Sequence, residues 1–160
     1  FRSMVRNASS DEFDLNGRYL KDGFLNIPLE DKVYTPIGRF MERFQIVELP
    51  QVYNIIRNGM SLVGNRPLPE DNINQFKKHQ IKYERRFFSP AGLTGISQIV
   101  NKHSLSSEKR LCIENLYSEV YLNGRIVQLD IKIIFLTVLY VLAKKELLYE
   151  DAVDLLNKHL

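Results

Sequence analysis

Arg66 and Glu48 are ionised side chains at turns, where charge can do chemistry. Arg66 sits in the turn Asn65-Arg66-Pro67, directly after the short apolar run Met60 to Val63. A guanidinium held in such a turn can grip a phosphate or carboxylate through two parallel N–H bonds. Glu48 lies two residues ahead of Pro50, where its charge suits the positive end of a following helix. By residue type alone, Arg39 and Arg66 also read as ordinary surface arginines. A second charged feature is the run Lys77, Lys78, His79, Lys82, Arg85 and Arg86, with Glu84 among them. Such a run reads either as a solvated helix face or as an attraction to an anionic bilayer, worth about 1 kcal/mol per basic residue near the surface. His79, His103 and His159 are scattered and Cys112 is the one cysteine, so no spacing suggests zinc. Cys112 reads as a small packed side chain.

The elements that carry these residues follow from periodicity. Residues 6–30, polar and punctuated by Gly17 and Gly23, read as a loop or mobile excursion after a short strand over Phe1 to Val5. Ile37, Phe40, Met41 and Phe44 recur at helical spacing from Thr35. A second helix starts at Leu49-Pro50, with Val52, Ile55 and Ile56 as its buried face and Asn58-Gly59 as its stop. Met60 to Val63 predicts a short buried strand, and 70–87 a long amphipathic helix whose other face is basic. Pro90, Gly92 and Gly95 make a loop leading into a short strand at Ile96, Ile99 and Val100. Helices follow over 106–121, ended by Asn123-Gly124, and over 146–160. Between them, Ile131 to Ala143 is the most apolar stretch. Thirteen helical residues reach only about 20 Å, short of a hydrocarbon core of roughly 30 Å, so this segment does not span alone. It reads as a central core helix or as a helix at a membrane interface.

Together these elements predict one mixed α/β domain over 1–160, mainly helical with a few short strands, in which 129–160 forms C-terminal amphipathic helices. The chain has 160 residues, 44% of them hydrophobic and 26% charged, with 8 Gly and 6 Pro, which excludes disorder, collagen and low complexity. A net charge of +3 is too small to argue for nucleic acid, and no aromatic-interleaved strand platform accompanies the basic run. The single cysteine excludes a disulfide framework and points to a reducing compartment. A chain opening on Phe1 rather than Met reads as part of a longer protein.

Residues 31–69 contain IGRF at 37–40, ELPQ at 48–51, and MSLVG at 60–64 followed by Arg66-Pro67. In order around them stand FRSM at 1–4, GLTG with Gln98 at 92–98, and LDIKII with TVLYVL between 129 and 142. These blocks resemble the bacterial sugar transferase family, the monotopic polyprenol-phosphate phosphoglycosyl transferases, over nearly the whole chain. The resemblance implies transfer of a sugar phosphate from a UDP-sugar to polyprenol phosphate with release of UMP, in surface glycan biosynthesis. In that family an Asp-Glu pair supplies the nucleophile, with Mg²⁺ balancing the diphosphate charge. The physics suits this: an anionic nucleophile approaching an anionic phosphate needs cationic help. By resemblance, Arg39 and Arg66 are substrate-binding, and Glu48 is the surviving catalytic and metal-binding carboxylate. The resemblance also implies anchoring by an apolar hairpin helix before Phe1 and a location on the cytoplasmic face of the bacterial inner membrane, with this chain the soluble cytosolic-side part.

The chain departs from the family where the chemistry is concentrated. The nucleophilic Asp is Val47, the Arg of the family's Asp-Pro-Arg is Val33, and the Asp before MSLVG is Gly59. The family's Thr-Ser is Phe44-Gln45, and the Pro before Arg66 is Asn65. An isopropyl group has no lone pair, so the family's covalent step does not run at Val47. Three readings follow: a transferase with Glu48 as displaced nucleophile; an inactive pseudoenzyme that binds a nucleotide sugar or a pathway partner; or a basic module for membrane surfaces or nucleic acid, of which nucleic acid is the partner not expected. Asp130 and Lys132, in the LDIK block, read as a structural ion pair. The apolar 131–143 segment and the last helix offer a surface for homo-oligomers.

Overall fold

In the computed structural model the described residues are 3–8, 10, 12–21, 24–25, 27–44, 46–57, 59–68, 73–74, 77, 82–100, 105–124 and 126–160. In chain order they form α1 (Leu15–Tyr19), β1 (Leu20–Lys21), β2 (Phe24–Leu25), α2 (Pro36–Arg43), α3 (Gln51–Arg57), β3 (Ser61–Val63), β4 (Gly92–Thr94), α4 (Ile96–Ile99), α5 (Ser107–Leu122), α6 (Ile126–Ala143) and α7 (Tyr149–Asn157). Two 3-10 turns, Ile46–Glu48 and Tyr83–Phe88, complete the frame. The architecture is mixed α/β and mainly helical, as expected.

Most helix boundaries follow from their ends. Thr35 caps α2 by accepting from the Gly38 amide, and Pro36 occupies the first turn, where a missing N–H costs nothing. Ser106 caps α5 in the same way from Lys109, and Gly124, at φ 73, ends it. The core forms where α5 meets α6, α7 and α4, around Ile113, Tyr117, Leu129, Ile133, Ile96 and Leu156. The strands β3 and β4 pair in parallel, Ser61 opposite Gly92 and Val63 opposite Thr94. A Cβ on Gly64 would stand 2.3 Å from the Pro90 carbonyl oxygen, so only glycine allows this close approach.

Several expectations are corrected. The excursion over 6–30 contains α1 and the antiparallel pair β1–β2, with Asp14 capping α1 from the left-handed region. Half of the expected helix 70–87 lies outside the described residues; Ile73, Asn74 and Lys77 are helical as expected, and the last part is the 3-10 turn Tyr83–Phe88, tightened before Pro90. That turn carries Arg86 inward, so Arg86 leaves the basic face and is buried, while Lys77, Lys82 and Arg85 stay exposed. Lys78, His79 and His103 lie outside the described residues. The strand expected at 96–100 is the helical turn α4; Ile96 and Ile99, three apart, both face the core. Cys112 is exposed rather than packed. Asp130 accepts from the Tyr117 hydroxyl at 2.9 Å while the Lys132 ammonium lies 3.4 Å from His159 Nε2. Residues two apart on a helix point to different sides, so this pair serves two partners instead of each other.

The largest correction concerns the apolar faces. Ile37 on α2 is 73% exposed and Ile56 on α3 is 76% exposed, with Phe40, Phe44, Val52 and Tyr53 also exposed. The apolar helix α6 extends over 126–143, eighteen residues, and Leu129 and Ile133 are its buried positions. It is not a central core helix: Val127, Ile131, Phe135, Val138 and Leu142 form a stripe along its outer side, and all are exposed. At about 27 Å it is long and apolar enough to cross a membrane by length and composition.

Candidate active site

The site is assembled from three short segments. The first is the 3-10 turn Ile46–Glu48, closed by the Leu49 amide on the Ile46 carbonyl at 3.1 Å, which hands the chain to α3 through Pro50. Gln51, three residues on, donates its side-chain amide to Glu48 Oε2. Val47 is half-buried in the same turn and brings only carbon to it. The second segment is the turn Gly64-Asn65-Arg66 at the end of β3. The third is α4, which carries Gln98.

Arg66 joins the three. One of its terminal nitrogens lies 2.6 Å from Glu48 Oε1, and the other donates to Gln98 Oε1 at 3.1 Å. Arg66 remains 34% exposed at its side chain, so solvent and ligands reach it. Its backbone is fixed from behind, because Arg86 donates to the Arg66 carbonyl at 2.7 Å. Arg86 in turn is ion-paired with Glu114 at 2.8 Å, and Ser97 on α4 donates to the other Glu114 oxygen at 2.9 Å. Glu114 is fully buried, which makes this pair intolerant of losing either partner.

Asn65 lies at the centre of the same support. Its side-chain nitrogen is 2.9 Å from the Arg86 carbonyl and 3.0 Å from Ser89 Oγ, the Glu114 carbonyl and Ser118 Oγ. Two N–H groups are thus shared among four acceptors. Arg110 lies within electrostatic reach of Glu114, Arg66 and Arg86. Burial lowers its pKa most, Glu114 opposes this, and the two arginines add to the lowering. Three arginines therefore share a region with two carboxylates, which leaves it with a net positive charge behind the solvent-facing Arg66.

Of the three expected site residues, the structure joins Glu48 and Arg66 and leaves Arg39 apart. Arg39 is exposed on α2 and donates to the Asp31 carbonyl at 3.3 Å, beside a separate cluster in which Arg18 contacts Asp31 Oδ2 at 3.0 Å. Among the described residues no hydrogen bond or ion pair links Arg39 to Glu48 or Arg66. Arg86, expected on the basic face, and Arg110 and Glu114, not singled out from the sequence, complete the site. The signal for Glu114 lay in the stripe Ser107, Leu111, Glu114 and Ser118, one buried helical face with a carboxylate in it.

Two departures have local explanations. Val33 is completely buried and its amide donates to Asp31 Oδ1 at 2.9 Å, a core position unsuited to a charged side chain. Gly59 has φ 68, a left-handed turn in which a side chain would be strained. A resident Mg²⁺ is not supported by the donors present. Both Glu48 oxygens are engaged, the Val47 side chain has no donor atom, and among the described residues no group of three His, Cys, Asp or Glu side chains is placed to hold a metal.

Comparison with known proteins bears on this geometry. The sequence profile of the bacterial sugar transferase family matches residues 1–144. The chain is 32% identical over 142 residues to a galactosyl transferase, CpsE, of Streptococcus agalactiae, covering 89% of this chain and 30% of that protein. It is 38% identical over 112 residues to the undecaprenyl-phosphate glucose phosphotransferase of Komagataeibacter xylinus, covering 68% of this chain and 21% of the relative. An uncharacterized sugar transferase, EpsL, of Bacillus subtilis is 32% identical over 145 residues, 91% of this chain and 62% of that protein. The chain therefore spans under a third of the length of the first two. With the profile matched across almost all of its residues, the chain belongs to the bacterial sugar transferase family.

Proposed function

We propose that the chain serves polyprenol-phosphate sugar-phosphate transfer in surface polysaccharide synthesis. In this reading the Arg66 site takes the diphosphate of a UDP-sugar, polyprenol phosphate is the acceptor, and UMP leaves. The observation that carries it is Arg66 itself, half-exposed and held at its main chain by Arg86, with Arg110 in electrostatic reach. Transfer forms a P–O bond from acceptor to the sugar-linked phosphorus and breaks the bridging P–O bond, whose electron pair leaves with UMP. Developing negative charge on the bridging oxygen is what fixed cations lower in energy. Any Mg²⁺ enters as the counter-ion of the nucleotide diphosphate. Family membership and the names of relatives, among them undecaprenyl-phosphate phosphotransferases for glucose and galactose, support the reading.

The acceptor is a lipid, and the exposed stripe on α6 together with the apolar faces of α2 and α3 suits a protein held at a bilayer. In this reading the membrane is the bacterial inner membrane and the site faces the cytoplasm.

One observation favours a second reading, a pseudoenzyme that binds the nucleotide sugar without turnover. Val47 stands at the family's nucleophile, and the neighbouring carboxylate Glu48 is tied to Arg66 and Gln51. UMP release from UDP-sugars with polyprenol phosphate and Mg²⁺ separates the two, measured on the full-length protein in nanodiscs and on its Val47→Asp variant. Release by the unmodified protein establishes transfer and sends the search for a nucleophile to Glu48. Release by Val47→Asp alone marks a site silenced at one residue, and silence from both leaves binding without transfer.

A further inference from the structure

The fork of Arg66 that a phosphate would grip is already filled. Glu48 Oε1 lies 2.6 Å from one terminal nitrogen and Gln98 Oε1 lies 3.1 Å from the other. We propose that Glu48 is a built-in counter-ion of Arg66, which an incoming diphosphate must displace before it can bind. The inference rests on the reading of Arg66 as the phosphate-binding residue.

Three observations carry it. Arg66 is anchored through its carbonyl by Arg86, while Glu48 sits on a half-buried turn of three residues and holds the Gln51 side-chain amide through its other oxygen, so the carboxylate keeps a partner when it leaves Arg66. Both side chains have a solvent-facing part, 34% exposed for Arg66 and 19% for Glu48, so displacement requires no opening of the core. Finally, the closed arrangement leaves polar atoms unsatisfied on either side of the pair: among the described residues, Gln98 Nε2 and Gln51 Oε1 are buried and have no hydrogen-bond partner. A buried donor without an acceptor is costly. The Gln98 nitrogen belongs to the same amide that accepts from Arg66, so the closed arrangement leaves a donor unused beside the anion-binding fork.

Removing the charge at Glu48 should therefore strengthen the binding of a bare phosphate anion, the opposite of what loss of a substrate-binding residue does. The probe is inorganic pyrophosphate without divalent metal, titrated calorimetrically into the full-length protein and its Glu48→Gln and Glu48→Ala variants, with folding checked by thermal unfolding. A partly exposed ion pair is worth up to about 1 kcal/mol, so both variants should bind on the order of five-fold more tightly. Adding Arg66→Gln to Glu48→Gln should abolish the gain. Unchanged or weaker binding in the folded variants overturns the proposal, as does a gain that survives Arg66→Gln. Titration with UDP-sugar in parallel keeps the two readings apart: a variant that gains pyrophosphate affinity yet binds no UDP-sugar keeps the gate and removes the proposed substrate.

Discussion

At the scale of single residues, the chemistry exposed at Arg66 depends on groups that solvent never meets. Glu114 sits at full burial with Arg86 on one oxygen and Ser97 on the other. Converting it to Gln leaves a buried guanidinium without its charge partner, a loss of about 3 to 5 kcal/mol where whole domains have about 5 to 15. Urea unfolding of Glu114→Gln should show that loss, and replacing both partners with apolar residues of similar volume should cost much less than either single change. Asp31 gives a pH signature. The Tyr19 hydroxyl, then the Val33 amide, with Arg18 helping, hold its carboxyl below the usual range. Its contribution is therefore present above the unfolded value near 4 and is lost as pH falls through the lower folded value. In acid titrations followed by thermal unfolding, Asp31→Asn should lose less stability than the unmodified protein over that interval. The sequence made Glu48 and Arg66 legible because a turn and a helix start frame them. It left Arg86 among surface residues, because a run of basic side chains carries no mark of the one that a 3-10 turn rotates inward.

At the scale of elements, caps and periodicity located α2 and α5 closely, since Thr35, Ser106 and Gly124 each do their work locally. Periodicity reveals that a face is apolar and says nothing about what covers it, which is why the face of α3 reads as buried in the sequence and stands exposed at Val52 and Ile56. In α6 the polar residues Gln128 and Asp130 interrupt the apolar pattern ahead of Ile131, so the expected segment lacks the first turn and a half, although those side chains leave the helix itself intact. The exposed stripe of α6 yields an element-scale prediction. Ile131→Asp with Phe135→Asp should change folding stability by under about 1 kcal/mol, because both side chains are already exposed. The same double change should reduce sedimentation with liposomes of anionic lipid; unaltered sedimentation would separate this stripe from membrane association.

At the scale of the whole molecule, a core centred on α5 supports two outward features, the arginine site at the end of β3 and the exposed apolar faces of α2, α3 and α6. The Lys144 ammonium, just past α6, donates to the Arg43 carbonyl at the end of α2 at 3.3 Å, tying the edges of two of those faces together. A transferase acting between a water-soluble nucleotide sugar and a lipid phosphate needs both features. The family blocks made family membership legible in the sequence, whereas the ion pair that occupies Arg66 depends on a contact between positions eighteen residues apart. The claim common to both functional readings is that Arg66 receives the diphosphate of a nucleotide sugar. Its most direct test is calorimetric titration of UDP-sugars into the full-length protein and its Arg66→Gln variant in nanodiscs. Saturable binding by the unmodified protein, weakened at least ten-fold by Arg66→Gln in a variant of unchanged thermal stability, is the predicted result. Binding that is indifferent to Arg66, or no binding of any UDP-sugar, would contradict the account.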